Sequence, residues 1–221
     1  MPKADPLATA FAAIYRADAW TNGSGPGSLP SVNRPYIAFL EAFIRNNGVR
    51  RIIDVGCGDF QLMAAVDLSG VDYIGYDVVD EVVDANRRRH GCENRSFREM
   101  PSSLEELTTG DLAIVKDVLI HLDNETSYGL LESLLRKNRF VLAVNNWSAD
   151  ANAYNRDIAP GAFRPVDVSL PPFSFLAATV LRYSKDCVPD PRYPRIAARL
   201  LRKHVWPGEK HVQLLLGQAP R

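Results

Sequence analysis

The sequence predicts a doubly wound α/β fold, a mostly parallel seven-stranded sheet with an antiparallel C-terminal edge strand and helices on both faces. Three observations carry this. Short apolar runs near 50–55, 72–76, 95–98, 111–115 and 140–144 alternate with segments of helical period, the pattern of repeated β-α units with buried parallel strands. Two further runs, 177–184 and 211–216, close the chain as a strand pair. The first run ends in Asp54-Val-Gly-Cys-Gly58, and Asp77 ends the second. Glycines at one strand tip and an acid at the next, about 20 residues on, suit a β-α-β unit that binds a nucleotide.

The elements follow in order. Residues 6–16 read as an amphipathic helix with Leu7, Phe11 and Ile14 on one face. Asn22-Gly-Ser-Gly-Pro-Gly-Ser28 is a glycine-serine loop. It is either a plain linker or a lid whose amides and hydroxyls, with Arg34 nearby, close over an anionic group. Tyr15 and Trp20 flank it. A helix over 33–46 stops at Gly48. A short helix is expected over 61–68, and another over 79–90 with three arginines in its last turns, which favours the helix dipole. Asp123 or Asn124 caps a helix running to about Lys137. Residues 146–174 show no period. A basic helix is expected over 195–204, a turn at Pro207-Gly208 and the last strand at 211–216.

Composition narrows the function classes. The 221 residues suit one domain with a full core. It is expected to divide into an N-terminal helical cap and loop (1–48), a nucleotide-binding half (49–145) and an aperiodic segment with the terminal strands (146–221). Lys plus Arg number 26 and Asp plus Glu 26, so no charge excess argues for nucleic acid or an anionic membrane. No apolar run reaches the ~18 residues that span a bilayer. Cys57, Cys92 and Cys187 are scattered without metal-ligand spacing, as expected of a reduced, cytoplasmic protein.

Asp54-Val-Gly-Cys-Gly58 resembles the first motif of the class I S-adenosylmethionine-dependent methyltransferases. Asp77, the block from Asp111 to Leu122 and the strand from Arg139 to Asn145 match in order, over roughly residues 35–146. The resemblance implies a Rossmann-like fold and S-adenosylmethionine as cofactor. One departure is Asp59-Phe60, where many members carry a third glycine. The resemblance implies cofactor contacts at Asp54, Gly56, Gly58 and Lys116, its ribose at Asp77 and its adenine between walls at Val78, Met100 and Val118; the lid reading of the glycine-serine loop places Ser28 and Arg34 at its carboxylate. Glu99, beside Met100, stands where an acid often meets the adenine amine.

His121 ends the block after the fourth strand. Methyl transfer to a hydroxyl needs in-line geometry and a base, and imidazole suits that task. Asp117 is a second base or a partner that fixes the tautomer. Asp117 with Asn145 and Asn146 also resembles the divalent-metal site of catechol-type O-methyltransferases, which implies magnesium, although an asparagine replaces one acid. Neutral hydrogen bonding to substrate is the other reading. Asn145, Asn146, Trp147, Tyr154 and Arg164 form an amide- and aromatic-rich segment that suits a hydroxyl-rich small acceptor such as a carbohydrate or glycoside. The expected activity is O-methylation by a monomer or homodimer. N-methylation of a small amine or heterocycle and a non-catalytic cofactor-binding module are the alternatives. The basic stripe over 192–204 reads as a solvated helix face.

Overall fold

The computed structural model describes residues 6–184 and 209–218. Cys187, the basic segment over 192–204 and the turn at 207–208 lie outside the described residues. Seven strands form one sheet: β1 (Arg51–Val55), β2 (Asp72–Asp77), β3 (Arg95–Glu99), β4 (Gly110–Lys116), β5 (Asn138–Asn146), β6 (Ala177–Ser184) and β7 (Glu209–Leu216). Their spatial order is β3-β2-β1-β4-β5-β7-β6. β1 to β5 run parallel, and β7 runs antiparallel to both β5 and β6. The expected antiparallel C-terminal strand is therefore β7. It sits one place in from the border, and β6 forms the edge.

Alternation along the strands divides the core. Ile53, Val55, Val115, Val141 and Ala143 face one side with Leu130, Leu131 and Leu134 of α4 (Asn124–Lys137). Ile52, Tyr73, Leu112, Leu142 and Val144 face the other with Tyr36, Leu40 and Ile44 of α2 (Arg34–Asn47). α1 (Pro6–Arg16) buries Phe11 on the α4 side, and α3 (Asp80–His90) follows β2. The stop signals act as expected. Gly48 takes the left-handed conformation, φ 63°, and Asp123 caps α4 by accepting from the Thr126 amide at 2.7 Å.

One expected helix is missing. Residues 61–68 hold only a 3-10 turn at Met63–Ala65. Phe60 just before it is left-handed, φ 62°, which interrupts helical propagation. The Gln61 amide bonds the Asn22 carbonyl and Asp59, both at 3.0 Å. Among the described residues, no helix is long and apolar enough to cross a membrane.

Candidate functional site

Parallel strands place their C-terminal tips together, and the tips of β1, β2, β4 and β5 form the site. Gly56 and Gly58 follow β1 with φ of 74° and 55°. A side chain at Gly56 would come within 2.3 Å of Val118, so the tight approach requires glycine. Asp77 is buried. Its Oδ2 accepts from the Gly58 amide at 3.0 Å and its Oδ1 from the Val79 amide at 3.1 Å. Burial raises its pKa, and those amides partly offset the rise. Val78, Met100 and Val118 are partly buried against one apolar cluster, as a planar apolar group would need. Glu99 meets Arg87 at 3.4 Å instead.

Beside the glycines, Ser28, Tyr36, Asp54, Asp59, Gln61 and Lys116 line a cleft with Leu62, Met63 and Ile114. The Tyr36 hydroxyl is fully buried and has no hydrogen-bond partner among the described residues. Asp54 accepts from the Tyr73 hydroxyl at 2.6 Å, and burial still pushes its carboxyl up to about 6. Lys116 donates to the Gly27 carbonyl at 2.9 Å and pairs with Asp117 at 2.6 Å. The cleft presents a carboxylate, Asp54, and two donors, Lys116 and the Tyr36 hydroxyl, the complement of an ammonium and a carboxylate. Arg34, expected to serve that carboxylate, is exposed and meets no lid residue among the described residues.

The glycine-serine loop is seated on the glycine turn. The Ser24 amide donates to Asp59 at 3.1 Å, and the Asp59 amide donates to Ser24 Oγ at 2.8 Å. Tyr15 Oη lies 2.8 Å from the same Ser24 oxygen. Ser28 Oγ donates to the Ser24 carbonyl at 3.1 Å. The lid reading thus fits the geometry, with Asp59 as its anchor.

After β4, Asp117 adopts a left-handed φ of 59°, and a 3-10 turn over Leu119–His121 follows. His121 Nδ1 lies 2.8 Å from the Ala162 carbonyl. A carbonyl can only accept, so this nitrogen is assigned the proton and Nε2 keeps its lone pair. Burial lowers the His121 pKa. Ala162 and Asp117 pull it back up, and Lys210 adds to the lowering. The ring packs against Trp20 in a tilted arrangement, centroids 5.2 Å apart and planes at 31°, with Phe11 at 6.3 Å and Phe163 at 6.2 Å.

Asp117 and Asn146 come together at the tips of β4 and β5 through Lys210, while Asn145, one residue earlier on β5, lies on the strand's other face, and the magnesium expectation finds no support. Lys210 of β7, 1% exposed, donates to both Asp117 and Asn146. Its ammonium stands where the metal would, and a divalent ion there would face a buried like charge. Among the described residues, no three His, Cys, Asp or Glu groups are placed to hold a metal. Lys210 was missed because a strand lysine reads as an exposed one; its position opposite Asn146 is legible only from the sheet register. Both amide atoms of Asn145 and Nδ2 of Asn146 are buried without a hydrogen bond among the described residues. Such a group costs about 1–3 kcal/mol unless a ligand or water meets it.

Three expected acceptor residues are corrected. The Arg164 guanidinium is buried and bonds Leu122 O at 2.7 Å, Arg156 O at 2.7 Å, Ser127 Oγ at 3.3 Å and Asn124 Oδ1; it fastens the loop to α4. Tyr154 turns its hydroxyl onto Ser148, accepting from the amide at 2.7 Å and donating to the carbonyl at 2.9 Å. Trp147 carries Arg182 over its ring at 5.0 Å, and its amide bonds Glu209 O at 3.0 Å. Each side chain finds a partner inside the chain because the loop must bury its own backbone.

No protein-family model matches the chain, and no curated protein matches it in sequence. Solved structures do. The magnesium protoporphyrin IX methyltransferase (ChlM) of Synechocystis PCC 6803 with bound SAM aligns at TM-score 0.58 and 17% identity, over 99% of this chain and 100% of that one. The chain has the fold of the S-adenosylmethionine-dependent methyltransferases. The N-terminal domain of EvdMO1, solved in the presence of SAH and D-fucose, aligns at TM-score 0.56 and 16% identity over 99% and 98%. The N-methyltransferase NodS of Bradyrhizobium japonicum WM9 in complex with SAH aligns at 0.56 and 12% over 85% and 88%. At these identities the likeness to the methyltransferases concerns the fold.

Proposed function

We propose that this protein is an S-adenosylmethionine-dependent O-methyltransferase acting on a hydroxyl of a small polar acceptor, best read as a carbohydrate or glycoside. His121 carries the reading: its Nδ1 is tied to a carbonyl, its Nε2 keeps the lone pair, and its pKa is lowered, so it stands as a neutral base at the methyl-transferring edge. The cofactor supplies an electrophilic methyl group on a sulfonium. The protein binds its ends and removes one proton. Asp77 receives the ribose hydroxyls, Val78, Met100 and Val118 enclose the adenine, and Lys116, Tyr36 and Asp54 hold the amino-acid end. The unmatched amides of Asn145 and Asn146 offer donors and an acceptor to a hydroxyl-rich ligand. EvdMO1, solved with D-fucose, favours the same acceptor class.

Calorimetry with S-adenosylhomocysteine tests the cofactor assignment. Binding is expected, and Asp77→Ala is expected to weaken it about 10-fold, or ~1.4 kcal/mol. Equal affinity in both proteins would remove Asp77 from the site, and no binding in either would remove the cofactor.

The Asp54 carboxyl gives a pH signature. It titrates at about 6 in the free protein, above the ordinary carboxylate value. An ammonium beside it favours the ionised form, so binding below about pH 6 must release a proton. Affinity is expected to fall up to ~10-fold per unit as pH drops below that value, and to level off above it. For stability the sign is opposite. Between the unfolded value and about 6 the folded chain holds a proton that the unfolded chain has lost, so stability falls as pH rises through that window. Asp54→Asn is therefore expected to raise Tm at pH 7 while weakening cofactor binding. A lower Tm would overturn the sign.

A further inference from the structure

Two sites usually considered separately are covered here by one short segment. Ser24 lies on the glycine turn so closely that a side chain at Gly58 would come within 2.2 Å of its Oγ and 3.2 Å of the Tyr15 hydroxyl. Asp77 is 7% exposed beneath this cover, and both its oxygens are taken by backbone amides. Ser24 and Tyr15 thus stand over Gly58, the residue whose amide holds Asp77. The same segment carries Trp20, whose ring packs, tilted, against His121 at 5.2 Å and also meets Tyr15 at 5.5 Å. A side chain on Gly25 would lie 3.3 Å from Trp20, so the lid and the indole move together. The catch is Asp59, through its reciprocal bonds with Ser24 and its bonds to Gln61. Its carboxylate stands where a third glycine would leave the loop bare.

We infer that residues 15–28 form one lid that couples the cofactor site to the base: the movement that uncovers Asp77 also withdraws Trp20 from His121, so the cofactor binds before the acceptor. Trp20 is then a positioning residue. It fixes the imidazole plane while the site is empty and clears it for the acceptor once the cofactor is in. The lid is held by two reciprocal hydrogen bonds, a hold that binding can overcome. The left-handed φ angles of Thr21, Asn22, Gly23 and Gly25, from 52° to 84°, fix the lid's path back to the glycine turn.

This inference rests on the methyltransferase reading, and the experiment separates the two. Trp147→Phe and Trp206→Phe leave Trp20 as the single tryptophan. In that protein, S-adenosylhomocysteine is titrated while calorimetry follows binding and fluorescence follows Trp20. The expected result is a saturable red shift of Trp20 emission at the calorimetric affinity, as the indole leaves its apolar cluster. Asp59→Ala, which removes the catch, is expected to speed association by roughly 10-fold, the equivalent of ~1.4 kcal/mol on the barrier. Ser24→Ala removes one lid oxygen with little risk to folding and is expected to act in the same direction. Binding by calorimetry with unchanged Trp20 emission, or with unchanged association rates in both variants, would overturn the coupling and leave the methyltransferase reading standing. No binding at all would overturn both.

Discussion

His121→Ala is expected to lower kcat by about 10²–10⁴-fold, the usual contribution of a positioned general base, while S-adenosylhomocysteine affinity does not fall. The split follows from geometry. His121 stands on the turn after β4 and contacts the Ala162 carbonyl and the Trp20 ring, whereas the groups proposed for the cofactor stand on the β1 and β2 tips and in the cleft beside them. The remaining activity should lose its acid limb. Burial lowers the His121 pKa, so the wild-type limb is expected below the ordinary histidine value of about 6.5. In that window the unfolded chain binds the proton first, so stability also falls as pH drops through it. A turnover close to wild type on an amine acceptor would instead favour N-methylation, where a neutral amine attacks without a base.

The sequence exposed the parts of this site that depend on the backbone. Glycines at a strand tip, an acid one strand on and a histidine after β4 are local signals, because conformational freedom and strand ends determine where those residues stand. Pairing across distant segments left no such signal. Lys210 reaches Asp117 only because β7 inserts beside β5, and nothing in a single strand states its neighbour. Asp59 looked like a departure from a glycine pattern, yet it anchors residues more than thirty positions earlier. The loop after β5 misled for a related reason. Amides, tyrosine and arginine there suggested ligand chemistry, but an irregular segment needs such groups for its own backbone. Asn155 shows this plainly: its side chain bonds the Asp167 amide and carbonyl and the Leu170 and Pro171 carbonyls.

Arg164→Met is expected to destabilise the fold by about 3–5 kcal/mol, since several buried acceptors lose their donor at once. That corresponds to a fall in Tm of roughly 6–20 °C for a chain of this size. Arg164 is 2% exposed, and its guanidinium holds the Leu122 and Arg156 carbonyls, Ser127 and Asn124, with the Phe173 ring 5.7 Å away. Burial lowers its pKa, and Asp157 and Asp123 oppose that, so methionine recovers part of the desolvation cost but none of the hydrogen bonds. Arg164→Lys is expected to destabilise as well, because one ammonium cannot span acceptors arranged around a planar fork. Thermal unfolding separates this role from substrate binding: an unchanged Tm with a raised KM would return Arg164 to the acceptor. The structural role also reaches the chemistry. The Arg164 amide bonds Ile120 O and the Gly161 amide bonds His121 O, so the loop that Arg164 fastens is the one whose Ala162 carbonyl sets the imidazole tautomer. In molecules that remain folded, Arg164→Met should therefore lower kcat more than it weakens cofactor binding.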